Sequence, residues 1–350
     1  MPKLVIASIG PVSSVQDGGR PGSQRYGLVP SGAMDRLALA AANTLVGNAP
    51  FAAAIEIGPF GAAFTAHGGP VRVALAGAQR SADVAKRPVA LDGSITLADG
   101  ETLTLGFARN GSFNYLAIEG GISGEPMFGS LSVNARAGLG SPYPRPLQAG
   151  DELQVAAASG APECRIELPA APDAPIRAVF GPQDGEFSDE AKALFIGSDW
   201  KISATSDRMG YRLEGPVIGH LHGHNIVSDG TVNGSIQVPG NGQPIVLMPD
   251  RGTTGGYPKI ATVISADFGR FAQISAGRSF RFRAVGMTEA QAAAKKFAEL
   301  IRTLPDRLRA DGAEFNIEAL ADANVAGHAV SAVDAGTWHP HAWTESEQAP

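Results

Sequence analysis

The densest run of chemistry-bearing side chains lies between Asp250 and Lys259, DRGTTGGYPK. The guanidinium of Arg251 and the ammonium of Lys259 can hold a carboxylate, phosphate or carbonate. The hydroxyls of Thr253 and Thr254, with backbone N–H groups around Gly255 and Gly256, can complete a nest for such an anion. In an extended strand Tyr257 and Lys259 share one face and Ile260 takes the other. A partly desolvated lysine beside a tyrosine can act as acid or base near neutral pH. The paired glycines predict positive φ or a close approach of backbone to ligand. The spacing is not that of a Walker A loop. Lys259, Tyr257, Asp250 and Arg251 are therefore the candidate catalytic residues, with Thr253, Thr254 and Gly255 as binding residues. The plainer alternative is a glycine-rich hairpin with solvated charges.

Four further stretches carry polar groups. Asp229, Gln237 and Asn241 stand on turns upstream of this loop, and each is a candidate binding residue. The polar loop Ser14 to Asp35 holds Gln16, Asp17, Arg20, Arg25 and Tyr26, and loops of that length are often functional. In SDRMGYRLEG, Arg208 either pairs with Asp207 or faces a ligand. HLHGH alternates His220, His222 and His224, which would share one face of a strand, a spacing able to hold metal. Gly219 and Gly223 weaken that strand and no acidic or cysteine ligand lies at a suitable distance, so a polar loop without metal is expected. Glu56, between two isoleucines, reads as an exposed residue on the polar face of a strand. No nucleophile elbow occurs, and Cys164, the single cysteine, rules out an intrachain disulfide.

Positioning these groups falls to short strands. Glycine is high, 44 of 350 residues, about 13% against about 7% on average, and no collagen period accompanies it. Around the main loop, Ile236 to Val238, Ile245 to Met248 and Ile260 to Ile264 read as strands between tight turns. A helix is expected from Met34, with Met34, Leu37, Ala38, Ala41 and Leu45 on one stripe and Gly47 as its C-terminal cap. Its alanines suit it to cover a sheet or plug a barrel end. Residues 188 to 196 form a short helix capped by Ser188, and Phe268 to Ile274 and Phe280 to Val285 read as closing strands. At Thr288, with Gln291 at capping-box spacing, a helix begins that Pro305 ends. The proline- and alanine-rich passage Ser159 to Pro175 separates two halves, 1–160 and 176–287, followed by a helix and tail over 288–350. A net charge of −6 gives no nucleic-acid footprint. No apolar run reaches spanning length and the N-terminus is too short in apolar residues for a signal, so a soluble, cytoplasmic protein is expected.

QDGGRPG and SGAMD near the N-terminus, EGGI at 119–122, SDRMGYRLEG, and GSIQVPGNGQPIVLMPDRGTTGGYPKIATVI together resemble one family over roughly residues 4–287. It is the KipA-like, allophanate hydrolase subunit 2 or biotin-dependent carboxyltransferase-like family, which includes the C subunit of bacterial 5-oxoprolinase (PxpC). The resemblance implies a mainly β fold of two cyclophilin-like β-barrels with accessory helices. It also implies ATP-dependent opening of 5-oxoproline to glutamate, with Mg, in a heteromer with a KipI-like B subunit and an A subunit. It places Asp17 and Arg20 in the same motif set as Arg208, Asp229 and the main loop, with activity expected only in the complex. Two other readings fit the resemblance. One is a carboxyltransferase moving a carboxyl group from biotin to urea or a similar small amide. It would need a separate carrier, since no Met-Lys-Met occurs here. The other is a non-catalytic antagonist of a KipI-like protein, with the loop charges as interface residues.

Overall fold

The computed structural model describes residues 1–310. The N-terminal part builds two antiparallel sheets. One orders the strands Glu152–Gln154, Lys3–Ile9, Ala62–His67, Thr102–Leu105, Ala82–Val84 and Arg87–Pro88. The other has seven strands, the first six in order being Ser14–Gln16, Ala54–Ile57, Asn110–Ile118, Val71–Gln79, Gly93–Leu97 and Cys164–Ile166. Alternating inward residues such as Leu4, Ile6, Phe64, Ile55, Val73, Leu103 and Leu116 fill the space between them. The later part contributes an eight-stranded sheet. Its order is Ser279–Phe280, Trp200–Ile202, Gly210–Glu214, Ile245–Leu247, Ser235–Gln237, Lys259–Val263, Ile176–Phe180 and Phe282–Ala284. The chain is mainly β, with barrel-like sheets, as expected.

A helix over Arg36–Leu45 (α1) lies against Val71–Gln79 and Asn110–Ile118. Asp35 caps it, its carboxylate accepting from Leu37 N at 3.0 Å and Ala38 N at 3.2 Å. Gly47 closes it at φ 73°, donating to the Thr44 carbonyl at 3.1 Å. The start is two residues later than the apolar stripe suggests, because Asp35 is extended at φ −122° and serves as the N-cap, with the Met34 N–H held by the Glu56 carboxylate at 2.8 Å. The alanines let α1 approach closely. Ala38 to Leu45 are all buried, in one core with Ala74, Ala117, Trp200, Phe271, Ile236 and Ile260. That shared core joins the sheets of both halves, and Met1–Arg309 form one compact unit.

Helix α2, Asp189–Gly197, has the expected Ser188 cap on Ala191 N at 3.2 Å. Residues expected to form the strand Phe268 to Ile274 instead belong to α3, Ser265–Ala272. Phe268, Phe271 and Ala272 share a face at i, i+3 and i+4, and their burial on the sheet overrides the strand reading. Helix α4 spans Met287–Arg302, but Gly286 is its N-cap and no side chain caps it, so the Thr288–Gln291 capping box does not form. The tail expected beyond residue 310 lies outside the described residues.

Candidate functional site

Lys259 opens the strand Lys259–Val263, opposite Gln237 on Ser235–Gln237. The side chain is buried, and its ammonium meets the half-exposed carboxylate of Asp229 at 3.0 Å. Gln183 clips both partners. Its side-chain amide donates to Asp229 Oδ2 at 2.9 Å, its Oε1 accepts from Lys259 N at 3.2 Å, and its own N–H donates to the Lys259 carbonyl at 3.1 Å. Hydrogen bonds from Lys259 and then Gln183 hold the Asp229 carboxyl below its ordinary range. Asp229 is also fixed by its backbone, since Asp229–Gly230 pairs with Thr254–Gly255 in a two-stranded ribbon. Neither Gly255 nor Gly256 has positive φ. At Gly255 the requirement is close approach: a Cβ there would overlap the Gln237 side-chain amide. That amide also donates to the Tyr257 carbonyl at 3.4 Å. Lys259, Asp229, Gln237, Thr254 and Gly255 thus come together, with Gln183 added.

The remaining candidates are drawn elsewhere. The strand starts at Lys259, after the buried Pro258, so Tyr257 does not share its face. Exposed Tyr257 lines a cavity of about 340 Å³ with Asn241 and Arg212, and the Asn241 Oδ1 accepts from Gln243 N at 3.1 Å as a turn residue. Arg251 is buried. It donates to Thr231 Oγ1 at 3.1 Å, to Gln24 Oε1 at 3.0 Å and to Asn233 Oδ1. Burial lowers its pKa to about 10, with no carboxylate to offset the loss of hydration. Thr253 contributes its carbonyl to the same knot, accepting from Gln24 Nε2 at 3.0 Å and Thr231 N at 3.1 Å. Arg251 and Thr253 therefore staple this loop to the first half of the chain. They do not join the Lys259 cluster.

Arg208 pairs with Asp250, not with its neighbour Asp207, at 2.8 Å from Nε to Oδ2. It also binds the Glu56 carboxylate and, at 2.8 Å, the Gly32 carbonyl. Glu56 is fully buried, contrary to its expected exposure. It accepts in addition from Met34 N and from the Tyr115 hydroxyl at 2.7 Å. Burial drives the Tyr115 hydroxyl pKa up, and the Glu56 charge adds to it. Arg208 and Asp250 edge a small cavity of about 200 Å³, with Glu56 set behind them. Asp17 is saturated by Gly19 N, Ser130 Oγ and Leu131 N, each at 2.7 Å, and by Ser132 Oγ at 2.5 Å. Arg20, fully buried, donates to the carbonyls of Met127 and Ser132. Both organise the first loop.

The histidines form no strand: His220 Nε2 lies 2.9 Å from the Val238 carbonyl and its ring packs on Phe187. Among the described residues no group of three His, Cys, Asp or Glu is placed to hold a metal, and no helix is long and apolar enough to cross a membrane.

Residues 26–284 match the family model described as carboxyltransferase domain, subdomain A and B. The C subunit of 5-oxoprolinase from Escherichia coli is 38% identical over 290 residues, covering 82% of this chain and 93% of that one. The crystal structure of TTHA0988 superposes with a TM-score of 0.74 at 32% identity, covering 81% of this chain and 56% of that one. Urea amidolyase of K. lactis gives a TM-score of 0.78 at 26% identity, covering 88% of this chain and 21% of that one. This chain therefore spans little more than half of one solved relative and a fifth of the other.

Proposed function

Because the chain belongs to the carboxyltransferase-domain family of subdomains A and B, we propose that it serves as the C subunit of an ATP-dependent 5-oxoprolinase. The complex would convert 5-oxoproline, ATP and water to glutamate, ADP and phosphate. What carries this reading is the likeness to a protein of that name over nearly its whole length. In the reading, the machine also needs an A subunit and a KipI-like B subunit, and Mg accompanies the ATP.

The Lys259 cluster suits a cyclic amide. The lactam carbonyl oxygen gains negative charge when a nucleophile adds to its carbon, before the ring C–N bond breaks and the nitrogen leaves protonated. A fixed ammonium at Lys259 stabilises that charge. The Asp229 carboxylate, ionised at neutral pH, can accept the amide N–H of the same ring. Gln183 holds the two groups aligned, so little reorganisation is needed when substrate arrives. Asp229 would exchange part of its contact with Lys259 for the substrate.

A second reading, carboxyl transfer from a carrier-borne biotin to urea or a similar amide, draws on the likeness to urea amidolyase. One assay separates the two. This chain is mixed with its cognate A and B subunits, and glutamate release from 5-oxoproline is measured with each component omitted in turn. Release that requires ATP and this chain supports the oxoprolinase. A stable complex without release, together with urea-dependent carboxyl transfer from a biotinylated carrier, would replace it with the second reading.

A further inference from the structure

A cavity of about 950 Å³, which neither Lys259 nor Asp229 lines, lies between α3, α4 and the strands Ile176–Phe180 and Lys259–Val263. Its walls are apolar, formed by Val179, Phe180, Val263, Phe268, Ala294 and Phe297. Its rim carries two guanidiniums, Arg36 and Arg251, and among the described residues no carboxylate lines it. Arg251 is buried among neutral acceptors. Arg36 stacks on Phe51 with its guanidinium 4.1 Å from the ring centroid, and donates to the Gly18 carbonyl at 3.3 Å.

The acids near the lining in sequence are engaged elsewhere: Asp35 with the N-terminus of α1 and with Gln273, Asp250 with Arg208, Asp267 with Arg177 at 2.7 Å, and Glu289 with Arg283. Two helix N-termini add partial positive charge to the lining. Ser265 of α3 and Met287 of α4 line the cavity, and neither helix has a side-chain cap. An apolar pocket of this size with cationic groups in its lining fits a small amphipathic anion. A purely apolar ligand would leave the guanidiniums uncompensated. A small polar acid would leave the Phe180, Phe268 and Phe297 walls wet.

We propose that this cavity binds an organic acid with an apolar body, its carboxylate held at Arg36 and Arg251 and its chain laid between α3 and α4. The site is distinct from the Lys259 cluster and does not rest on the oxoprolinase reading.

The test titrates the purified full-length chain, without partner subunits, with octanoate and with octanol by calorimetry. Octanoate is expected to bind and octanol to bind at least tenfold more weakly. Arg36→Gln, a change at an exposed side chain, should weaken octanoate about tenfold, the value of one charge-assisted contact, and leave octanol unchanged. Ala294→Trp should weaken both by narrowing the apolar space against α4, with thermal melts establishing that each variant is folded. Absence of octanoate binding overturns the proposal. So does equal affinity for octanol, or octanoate affinity unaltered in either folded variant.

Discussion

Lys259 and Asp229 meet at 3.0 Å from opposite sides of the surface: the lysine side chain is 1% exposed and the aspartate 51%. An ordinary surface ion pair has two flexible arms and is worth little. Here the cation is immobilised by packing and the anion by the ribbon Asp229–Gly230 with Thr254–Gly255. Most of the ordering cost is met in folding, so the pair is preorganised for an incoming polar group.

Replacing Lys259 tests that preorganisation. Lys259→Met keeps the buried stem and removes the charge, so the fold should persist while activity of the reconstituted complex falls by about a hundredfold or more. Lys259→Arg should restore little, because a planar fork does not fit the channel of a linear ammonium. The check is kcat at saturating 5-oxoproline and ATP beside a thermal melt. Full kcat in a folded Lys259→Met would remove the lysine from the mechanism.

Glu56 and Arg208 should matter for stability. Glu56→Gln leaves the Arg208 guanidinium buried with Asp250 as its remaining acid and weakens the acceptor that Tyr115 uses. Breaking one side of a buried ionic network costs about 3 kcal/mol. Urea unfolding of the variant should show a lower midpoint at an unchanged m-value.

Asp267 supplies an acid-sensitive contribution. Burial raises its pKa, but hydrogen bonds from the Arg177 side chain and N–H more than offset this, so the folded value lies below the ordinary one. A depressed carboxyl stabilises the fold above the unfolded pKa, near 4, and the contribution disappears as pH falls through the folded value. Wild type should therefore exceed Asp267→Asn in stability at neutral pH, and the gap should close on acidification. A gap independent of pH would mean that packing, not charge, is responsible.

Much of this architecture is legible locally. The strands near Ile236, Ile245 and Ile260, the Ser188 cap and the α1 stripe each follow from patterns within one turn or one strand. The failures share a cause. Glu56 reads as exposed because its partners, Arg208 and Tyr115, are distant in sequence and meet only when α1 packs between the sheets. Gln183 and Gln24 carry no local mark, yet one clips Lys259 from 76 positions away and the other reaches Arg251 from 227. Strand periodicity puts Tyr257 on the Lys259 face, but Pro258 keeps it outside the strand. The Phe268 run is short enough to suit either period, and burial on the sheet decides for helix.

Gly255 offers a separable test of the site's geometry. Its backbone is not in the left-handed region, so alanine costs little in conformation. The conflict is steric: the new methyl group overlaps the Gln237 side-chain amide, the flexible end of a side chain that also bonds the Tyr257 carbonyl. Gln237 must then swing away, and the ribbon that carries Asp229 shifts with Gly255, its pairing partner. Gly255→Ala should therefore lower kcat/KM of the reconstituted complex about tenfold or more, because small misplacements of a positioned group are costly. Its thermal stability should change little. Shortening the obstructing side chain provides the control. In Gly255→Ala with Gln237→Ala the overlap is gone, so activity should recover toward that of Gln237→Ala alone, a coupling that a double-mutant cycle measures directly. Additive losses across the cycle would show that Gly255 acts without Gln237, and the close approach would lose its role in aligning Asp229 with Lys259.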